Sequence, residues 1–424
     1  MRDLKNSDIL WIDTIPKNWS ICRFKYFHSG TNVGESIDKE FWSSDPNELV
    51  FYTAGAEPIH TNYQLFPTWK LTSNNDLLLS RNGTPYVYLP SEGASYTDHI
   101  IRAKIREGID RRYLRYCLMQ SILAENVDTV SITTWSASIW DEQWLPFPPF
   151  PEQQRIADFL DSKCADIDNV LEKTRASIEE YKKLKLSVIT KTVTKGIRGK
   201  RKEKSSKYDW IGSIPNEWKI IRIKNACWLK GRIGWDGLTS SEYIEKGPFL
   251  ITGTDFSNGV INWDSCVHIS EERFNQDSDI HIFEGDLLIT KDGTIGKVAI
   301  VKNCPEEVSL NSGVLLIRNT KDIKYYQDFL YFVLQSNIFW AWYELSQSGN
   351  STIKHLYQEQ FYNFAFPLPD IEEQKEIAEY LYSFCHEIDS LIASKEKFIT
   401  ELETYKKSLI YEYVTGKKEV PATI

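Results

Sequence analysis

The chain has no Cys-x-x-Cys pair; its seven cysteines are scattered over 424 residues. An odd number without short spacing supplies neither a disulfide framework nor a zinc site, so the thiols read as reduced and the protein as cytoplasmic. Seven histidines are spread without clustering, which gives neither a metal centre nor a catalytic triad. Long hydrophobic runs are missing too. The longest apolar window, Phe329 to Trp342, is broken by Gln335, Ser336 and Asn337, so no membrane span is expected. The start, Met1-Arg-Asp-Leu-Lys, shows no signal peptide. No Gly-rich loop follows a strand to cradle a cofactor such as S-adenosylmethionine. Overall positive charge is absent: the formal net charge is −9, which argues against general coating of nucleic acid but not against local contacts.

What is present is a duplication. The length suits two to four domains, each with a core of its own, and the aromatic content of 13% favours strands. Trp11, Pro16 and Trp19 recur as Trp210, Pro215 and Trp218, a shift of 199. Short apolar runs follow at Leu49-Val-Phe-Tyr-Thr and Phe249-Leu-Ile-Thr. Next come Asp76-Leu-Leu-Leu-Ser-Arg-Asn-Gly-Thr and Asp286-Leu-Leu-Ile-Thr-Lys-Asp-Gly-Thr, shifted by 210, each followed by another apolar run. Asn-Gly or Asp-Gly between such runs is a strong hairpin signal. His99–Ile105 and Val314–Arg318 read as further strands, and Arg111–Asn126 and Tyr325–Leu345 as helices. The order of domain then helix therefore occurs twice.

Two long helices carry the clearest periodicity. Pro149-Phe-Pro-Glu-Gln-Gln and Pro367-Leu-Pro-Asp-Ile-Glu-Glu-Gln open them, and residues of the first match the second at a shift of 221. In the first, Leu160, Ile167, Thr174, Tyr181 and Val188 alternate with Ala157, Cys164, Leu171, Ile178 and Lys185. In the second, Leu381, Ile388, Lys395, Leu402 and Leu409 alternate with Ala378, Cys385, Ile392, Ile399 and Lys406. Steps of three and four place these residues on one narrow seam, the pattern of a two-stranded coiled coil. Proline is expected before each helix, not within it. The alternative is two amphipathic helices packed on separate cores. The seam is too narrow for a helix lying on a sheet, and each helix has a mate of matching length.

The expected fold is thus α+β. Two α/β domains are joined by two long helices packed as a coiled coil. The divisions are residues 1–150 for the first domain, 151–198 for the first helix, 199–369 for a linker and the second domain, 370–416 for the second helix, and 417–424 for a tail.

Candidate contact residues lie at the hairpin tips. Arg81, Asn82 and Thr84 in the first copy, and Lys291, Asp292, Thr294 and Lys297 in the second, place cations, an amide or carboxylate, and hydroxyls on turns. Such groups hydrogen-bond base edges or phosphates; the alternative is an ordinary turn with a solvated cation. The first hairpin continues with Pro85-Tyr86, without the Ile-Gly-Lys of the second. Polar loops before each proline boundary, Ser131–Ser138 and Ser346–Thr352, add Ser348, Asn350 and Thr352. Between Tyr181 and Lys207 there are eleven Lys/Arg and one Glu, a strongly basic stretch and a further source of affinity.

Two catalytic look-alikes fail. Pro148-Pro149-Phe150 is part of an amino-methyltransferase tetrapeptide, but Phe147 stands where a polar side chain must hold the target amine. Asp370, Glu373 and Lys375 have the composition of a metal nuclease site, but they crowd one helix start, where acids complement the helix dipole. No catalytic and no metal residue is assigned.

Taken together, the Trp-x4-Pro-x2-Trp openings, the Asp-Leu-Leu hairpins with Gly-Thr tips, and the Pro-x-Pro…Glu-Gln…Ile-Ala helix starts resemble the specificity subunits of type I restriction-modification enzymes. The resemblance covers nearly the whole chain. It implies a non-catalytic subunit in which each domain reads half of a bipartite site on double-stranded DNA. It further implies two target-recognition-like α/β domains joined by the two long helices packed as an antiparallel coiled coil, with pseudo-two-fold symmetry, serving as a spacer. It also implies docking of two methyltransferase subunits and, through them, restriction subunits; S-adenosylmethionine and ATP belong to those partners. The seam residues Leu160, Cys164, Ile167, Leu171, Ile178, Leu381, Cys385, Ile388, Ile392, Ile399 and Leu402 would form the spacer. A helix of roughly 40 residues spans about 60 Å, room for a reach of at most roughly 17 base pairs. Because the two domains differ, the halves should be unequal. Competing assignments are an enzyme with an unfamiliar site and a scaffold carrying two protein-binding domains.

Overall fold

The computed structural model describes residues 2–123, 134–232, 238–320, 325–347 and 355–421. The chain forms two compact units. Met1–Thr174 with Lys397–Ile424 makes one, and Arg175–Glu396 makes the other. Each contains a mixed domain and part of both long helices.

In the first unit, an antiparallel four-stranded sheet has the order His28–Val33, Ile100–Ile105, Asp76–Ser80, Val87–Tyr88. A second sheet runs Ser95–Tyr96, Leu49–Tyr52, Ile59–Thr61, Trp42–Ser43, with its first two strands parallel. The other unit repeats this plan. Cys227–Lys230, Val314–Asn319, Leu287–Thr290 and Val298–Ile300 form the four-stranded sheet. Val267–His268, Ile244–Ile251 and Val308–Leu310 form a three-stranded one, again with one parallel pair. Asp76–Ser80 and Leu287–Thr290 are buried at every position, as central strands covered on both faces must be. In each unit a short strand pair, Ser20–Arg23 with Trp144–Phe147 or Lys219–Arg222 with Ala365–Leu368, leads into a long helix.

The long helices are Phe150–Lys195, of 46 residues, and Ile371–Val414, of 44. The first begins a residue before Pro151, so that proline lies within the helix and not ahead of it. It occupies the first turn, where its missing N–H has no intrahelical acceptor to lose. Gly196 and Gly416 follow the helix ends at φ +71° each, the left-handed conformation that closes a helix.

The pairing is antiparallel in both units. In the first, Phe159 stacks against Tyr413 at 4.5 Å and Asp168 binds Lys406 at 2.6 Å. In the second, Lys185 binds Asp389 at 2.7 Å and Lys395 lies 5.6 Å from the Tyr181 ring. Leu160, Cys164, Ile167, Leu171 and Ile178 are buried, as are Leu381, Cys385 and Ile388. Ile392, Ile399 and Leu402 are half-buried. Leu160, Cys164, Ile167 and Leu171 share one apolar cluster with Leu409, Tyr413 and Val414, and Ile189 and Val193 share another with Ala378, Leu381 and Cys385. The lysines in the seam series are accounted for: Lys185 and Lys406 keep their stems on the seam and turn their ammonium groups to an aspartate. Burial pushes the Cys385 thiol up to about 11 and raises that of Cys164, so both act as small apolar side chains.

Two local expectations change. Tyr325–Leu345 is not one helix but two, Gln327–Gln335 and Asn337–Ser346. Ser336 between them is extended and donates its hydroxyl to the Val333 carbonyl at 2.6 Å, while the Asn337 N–H is taken by Thr190 on the long helix at 2.9 Å. The hairpin connections are not two-residue turns either. They span residues 81–86 and 291–297, because a serine or threonine hydroxyl at the strand end holds a wider loop.

Candidate nucleic-acid interface

The two hairpin loops have the same backbone construction despite different sequences. Ser80 Oγ accepts the Tyr86 N–H at 2.7 Å and donates to the Thr84 carbonyl at 3.1 Å. Thr290 Oγ1 accepts the Lys297 N–H at 3.0 Å and donates to the Thr294 carbonyl at 2.5 Å. The Arg81 N–H donates to the His99 carbonyl and the Lys291 N–H to the Gly313 carbonyl, both at 2.8 Å. The segment ahead of each long helix then clamps the loop. The Trp135 N–H donates to the Arg81 carbonyl at 2.6 Å, and the Leu356 N–H to the Lys291 carbonyl at 3.0 Å. Gly83 and Gly293 sit at φ +73° and +65°, which a side chain would strain.

On these frames Arg81, Thr84 and Thr294 are exposed, while Asn82, Lys291, Asp292 and Lys297 are half-buried. Asn82 Nδ2 donates to His99 Nδ1 at 2.9 Å, and Asp292 Oδ1 accepts from His355 Nδ1. Each tip therefore has its amide or carboxylate held by an imidazole. Among the described residues, the Arg81 side chain hydrogen-bonds only the Asp98 carbonyl, at 3.4 Å. Among the described residues, Arg81, Lys291 and Lys297 have no carboxylate partner. The neighbouring Asp98 carboxyl is held below its ordinary value, chiefly by the Ser36 hydroxyl. Ser348, Asn350 and Thr352 lie outside the described residues.

The basic stretch behaves differently. Lys195 pairs with Glu203, Arg198 with Glu376, Arg201 with Glu373 and Glu217, and Lys185 with Asp389. Lys182 and Lys183 pair with glutamates one helical turn away. Six of the eleven cations are thus paired within the chain, while Lys191, Lys200, Lys202, Lys204 and Lys207 have no carboxylate partner among the described residues.

The carboxylates at the helix starts also find their role. Asp370 caps its helix by accepting the Glu373 N–H at 3.0 Å. Glu373 is a buried anchor: Arg201 donates to it at 2.5 and 3.1 Å, and the buried Trp218 indole at 3.0 Å. Glu152 repeats the arrangement with Arg2 at 2.5 Å and Trp19 at 3.1 Å. Hydrogen bonds to Glu373 hold the Arg201 guanidinium above its ordinary value. Gln153 and Gln374 complete the joint. Each accepts a backbone N–H from the start of the preceding helical segment, Asp110 or Tyr326, and donates to a carbonyl of the proline turn. Trp, Glu and Gln at the shared motif positions thus fix each mixed domain to the helix that follows it. The sequence contained these residues in register but gave no sign of the Arg–Trp–Glu contact. His99, Trp135 and His355 were also missed as loop supports. Among the described residues, no group of three or more His, Cys, Asp or Glu could hold a metal, and no helix is long and apolar enough to cross a membrane.

Residues 215–403 match the family model for the type I restriction modification DNA specificity domain. The chain is 26% identical over 422 residues to the type I restriction enzyme MjaVIII specificity subunit of Methanocaldococcus jannaschii, covering 96% of this chain and 94% of that one. It is 26% identical over 318 residues to the EcoBI specificity subunit of Escherichia coli, covering 71% and 65%. A solved chain from a study of complex assembly and conformational transition in the type I R-M system superposes with a TM-score of 0.70, at 16% identity, over 95% of this chain and 99% of that one. That likeness shows the fold. With a specificity-domain match in its second copy, a 26% likeness over nearly its whole length and the same domain-and-helix plan folded twice, the chain is similar to type I restriction-modification specificity subunits.

Proposed function

We propose that each copy reads one half of a bipartite, asymmetric DNA site through its clamped hairpin, and that the helices set the spacing between halves. The observation that carries this is the contrast in charge use. In a chain of net charge −9, most cations of the basic stretch are spent on internal partners. Those at the hairpin tips, Arg81, Lys291 and Lys297, have no carboxylate partner among the described residues. A guanidinium or ammonium held on a rigid backbone frame suits phosphate or guanine contacts. Thr84 and Thr294 supply exposed hydroxyls beside them. The tip pair Asn82 and Asp292 offers different hydrogen-bonding chemistry in the two copies, which supports unequal halves.

Methyltransferase docking is assigned to the outer flank of the long helices. Phe384, Leu391, Phe398 and Tyr405 recur every seven residues on the second helix, and the last three are exposed. Val170 and Leu184 are exposed on the first helix. A seven-residue apolar stripe beside a filled seam fits an added partner helix. Each unit holds part of it, consistent with two methyltransferase subunits, which would bring S-adenosylmethionine and recruit the ATP-using restriction subunit. The test is the methylation pattern of DNA from cells that express a cognate methyltransferase with and without this chain. A split motif appearing only with the chain supports the reading. Unchanged methylation in the presence of a stable complex contradicts it.

A further inference from the structure

A cleft of about 340 Å³ opens beside the hairpin of the first copy. Tyr52, Tyr86 and Tyr88 supply aromatic walls, Met119 a flexible thioether, and Glu57 and Arg115 opposite charges. The rings are fixed: Tyr52 and Tyr88 meet edge to face at 5.5 Å, and Tyr86 and Tyr88 lie 5.8 Å apart. The Tyr88 hydroxyl donates to the Gly55 carbonyl at 2.7 Å, and Arg115 Nε donates to the Val87 carbonyl at 3.2 Å. Burial raises the Tyr52 phenol above its ordinary value and the Tyr88 phenol well above it, with the Glu57 charge contributing, so both walls stay uncharged. Among the described residues, the Glu57 carboxylate, the Tyr86 hydroxyl and the terminal nitrogens of Arg115 have no hydrogen-bond partner.

Aromatic walls with a few convergent polar groups select a flat, polar-edged ligand. Arg115 disfavours a simple cation, and Glu57 disfavours a purely apolar guest. A carboxylate accepts from an exocyclic amine, while a guanidinium donates to a ring nitrogen or carbonyl. The volume lies at the lower end for small-molecule sites, which suits a single base. We infer that this cleft takes one unpaired nucleobase bearing an exocyclic amino group, extruded from the DNA that the first copy reads.

The inference rests on the DNA-reading proposal and adds an asymmetry to it. In the second copy Ala299 stands at the strand position of Tyr88, and Lys297 at that of Tyr86. There the hairpin Phe256–Ile261 covers the strand edge, the Ile300 N–H donating to the Gly259 carbonyl at 3.0 Å. Extrusion is therefore expected in one half-site only.

The test uses the methyltransferase-bound complex on a duplex carrying its mapped motif. Each base pair is mismatched in turn by replacing only the partner of the base of interest. Extrusion costs least where pairing is already lost, so binding should tighten about tenfold at one adenine, cytosine or guanine of a single half-site. Glu57→Gln, at an exposed position, should shrink that gain to below about threefold. Tightening at no position, or at thymine, overturns the inference. Millimolar adenosine or cytidine that binds the complex without any mismatch gain would assign the cleft to free nucleosides and overturn it. So would Glu57→Gln weakening only the association with methyltransferase, which would make the cleft a protein site. Failure to bind the fully paired motif would instead sink the DNA-reading proposal.

Discussion

Replacing Glu373 by alanine should destabilise the second unit far more than its position at a helix start suggests. The carboxylate is 1% exposed and accepts from Arg201 twice and from the Trp218 indole, itself 1% exposed. Alanine leaves a largely buried guanidinium and a buried indole N–H unpaired. Breaking one side of such a pair costs about 3 kcal/mol. For a unit spanning Arg175–Glu396, that corresponds to a fall in Tm of roughly 6–12 °C. The control is Asp389→Ala, which removes the rim contact with Lys185; a solvent-exposed pair contributes less than about 1 kcal/mol. Calorimetry is the appropriate assay, since two compact units need not unfold in one two-state transition. Equal, small shifts for the two variants would refute the anchor assignment. A shift in Glu373→Ala that Arg201→Ala alone reproduces, with the double variant no worse, would place the energy in that pair.

Lys291→Ala should weaken DNA binding by the partner-bound complex and reduce the slope of log affinity against log salt by about 1 if the ammonium contacts a phosphate; an unchanged slope argues against that contact. Leu171→Pro places a ring and a missing N–H in the middle of the spacer seam and should abolish site-specific methylation, measured at the native motif. Alkaline pH should destabilise the fold. Burial holds the Cys227 and Cys266 thiols near 12 and Cys304 and Cys385 near 11, against an ordinary 9.0. Their contribution is complete below pH 9 and is lost as pH rises through 11 to 12, because the unfolded chain releases those protons first. Urea midpoints that do not fall between pH 8.5 and 11 would contradict this.

The parts of the fold that repeat at fixed spacing were legible in the sequence. The seam from Leu160 to Leu171, and the equivalent stretch from Leu381 to Ile388 on the second helix, follow from period alone, since a two-helix contact buries only residues three and four apart. The hairpins after Asp76 and Asp286 were legible from Gly83 and Gly293, which a turn with positive φ requires. What escaped depends on contacts distant in sequence. Nothing local links Trp218 to Glu373, or His355 to Asp292. The break at Ser336 depends on Thr190 supplying an acceptor for Asn337 from another helix. A count of charges in the basic stretch does not show that Glu203, Glu217, Glu373 and Glu376 lie against Lys195, Arg198 and Arg201. The hairpin tips were found by residue type, but their common frame was hidden by Pro85-Tyr86 standing where the second copy has Ile295-Gly296-Lys297.

The central claim, two independent readers on one spacer, is tested most directly by exchange. Residues 14–106 are replaced by the corresponding segment of a type I specificity subunit, and the methylated motif is mapped in cells with the same methyltransferase. The account predicts a new first half with the second half and the spacing unchanged. A motif altered in both halves, or changed only in spacing, would contradict it.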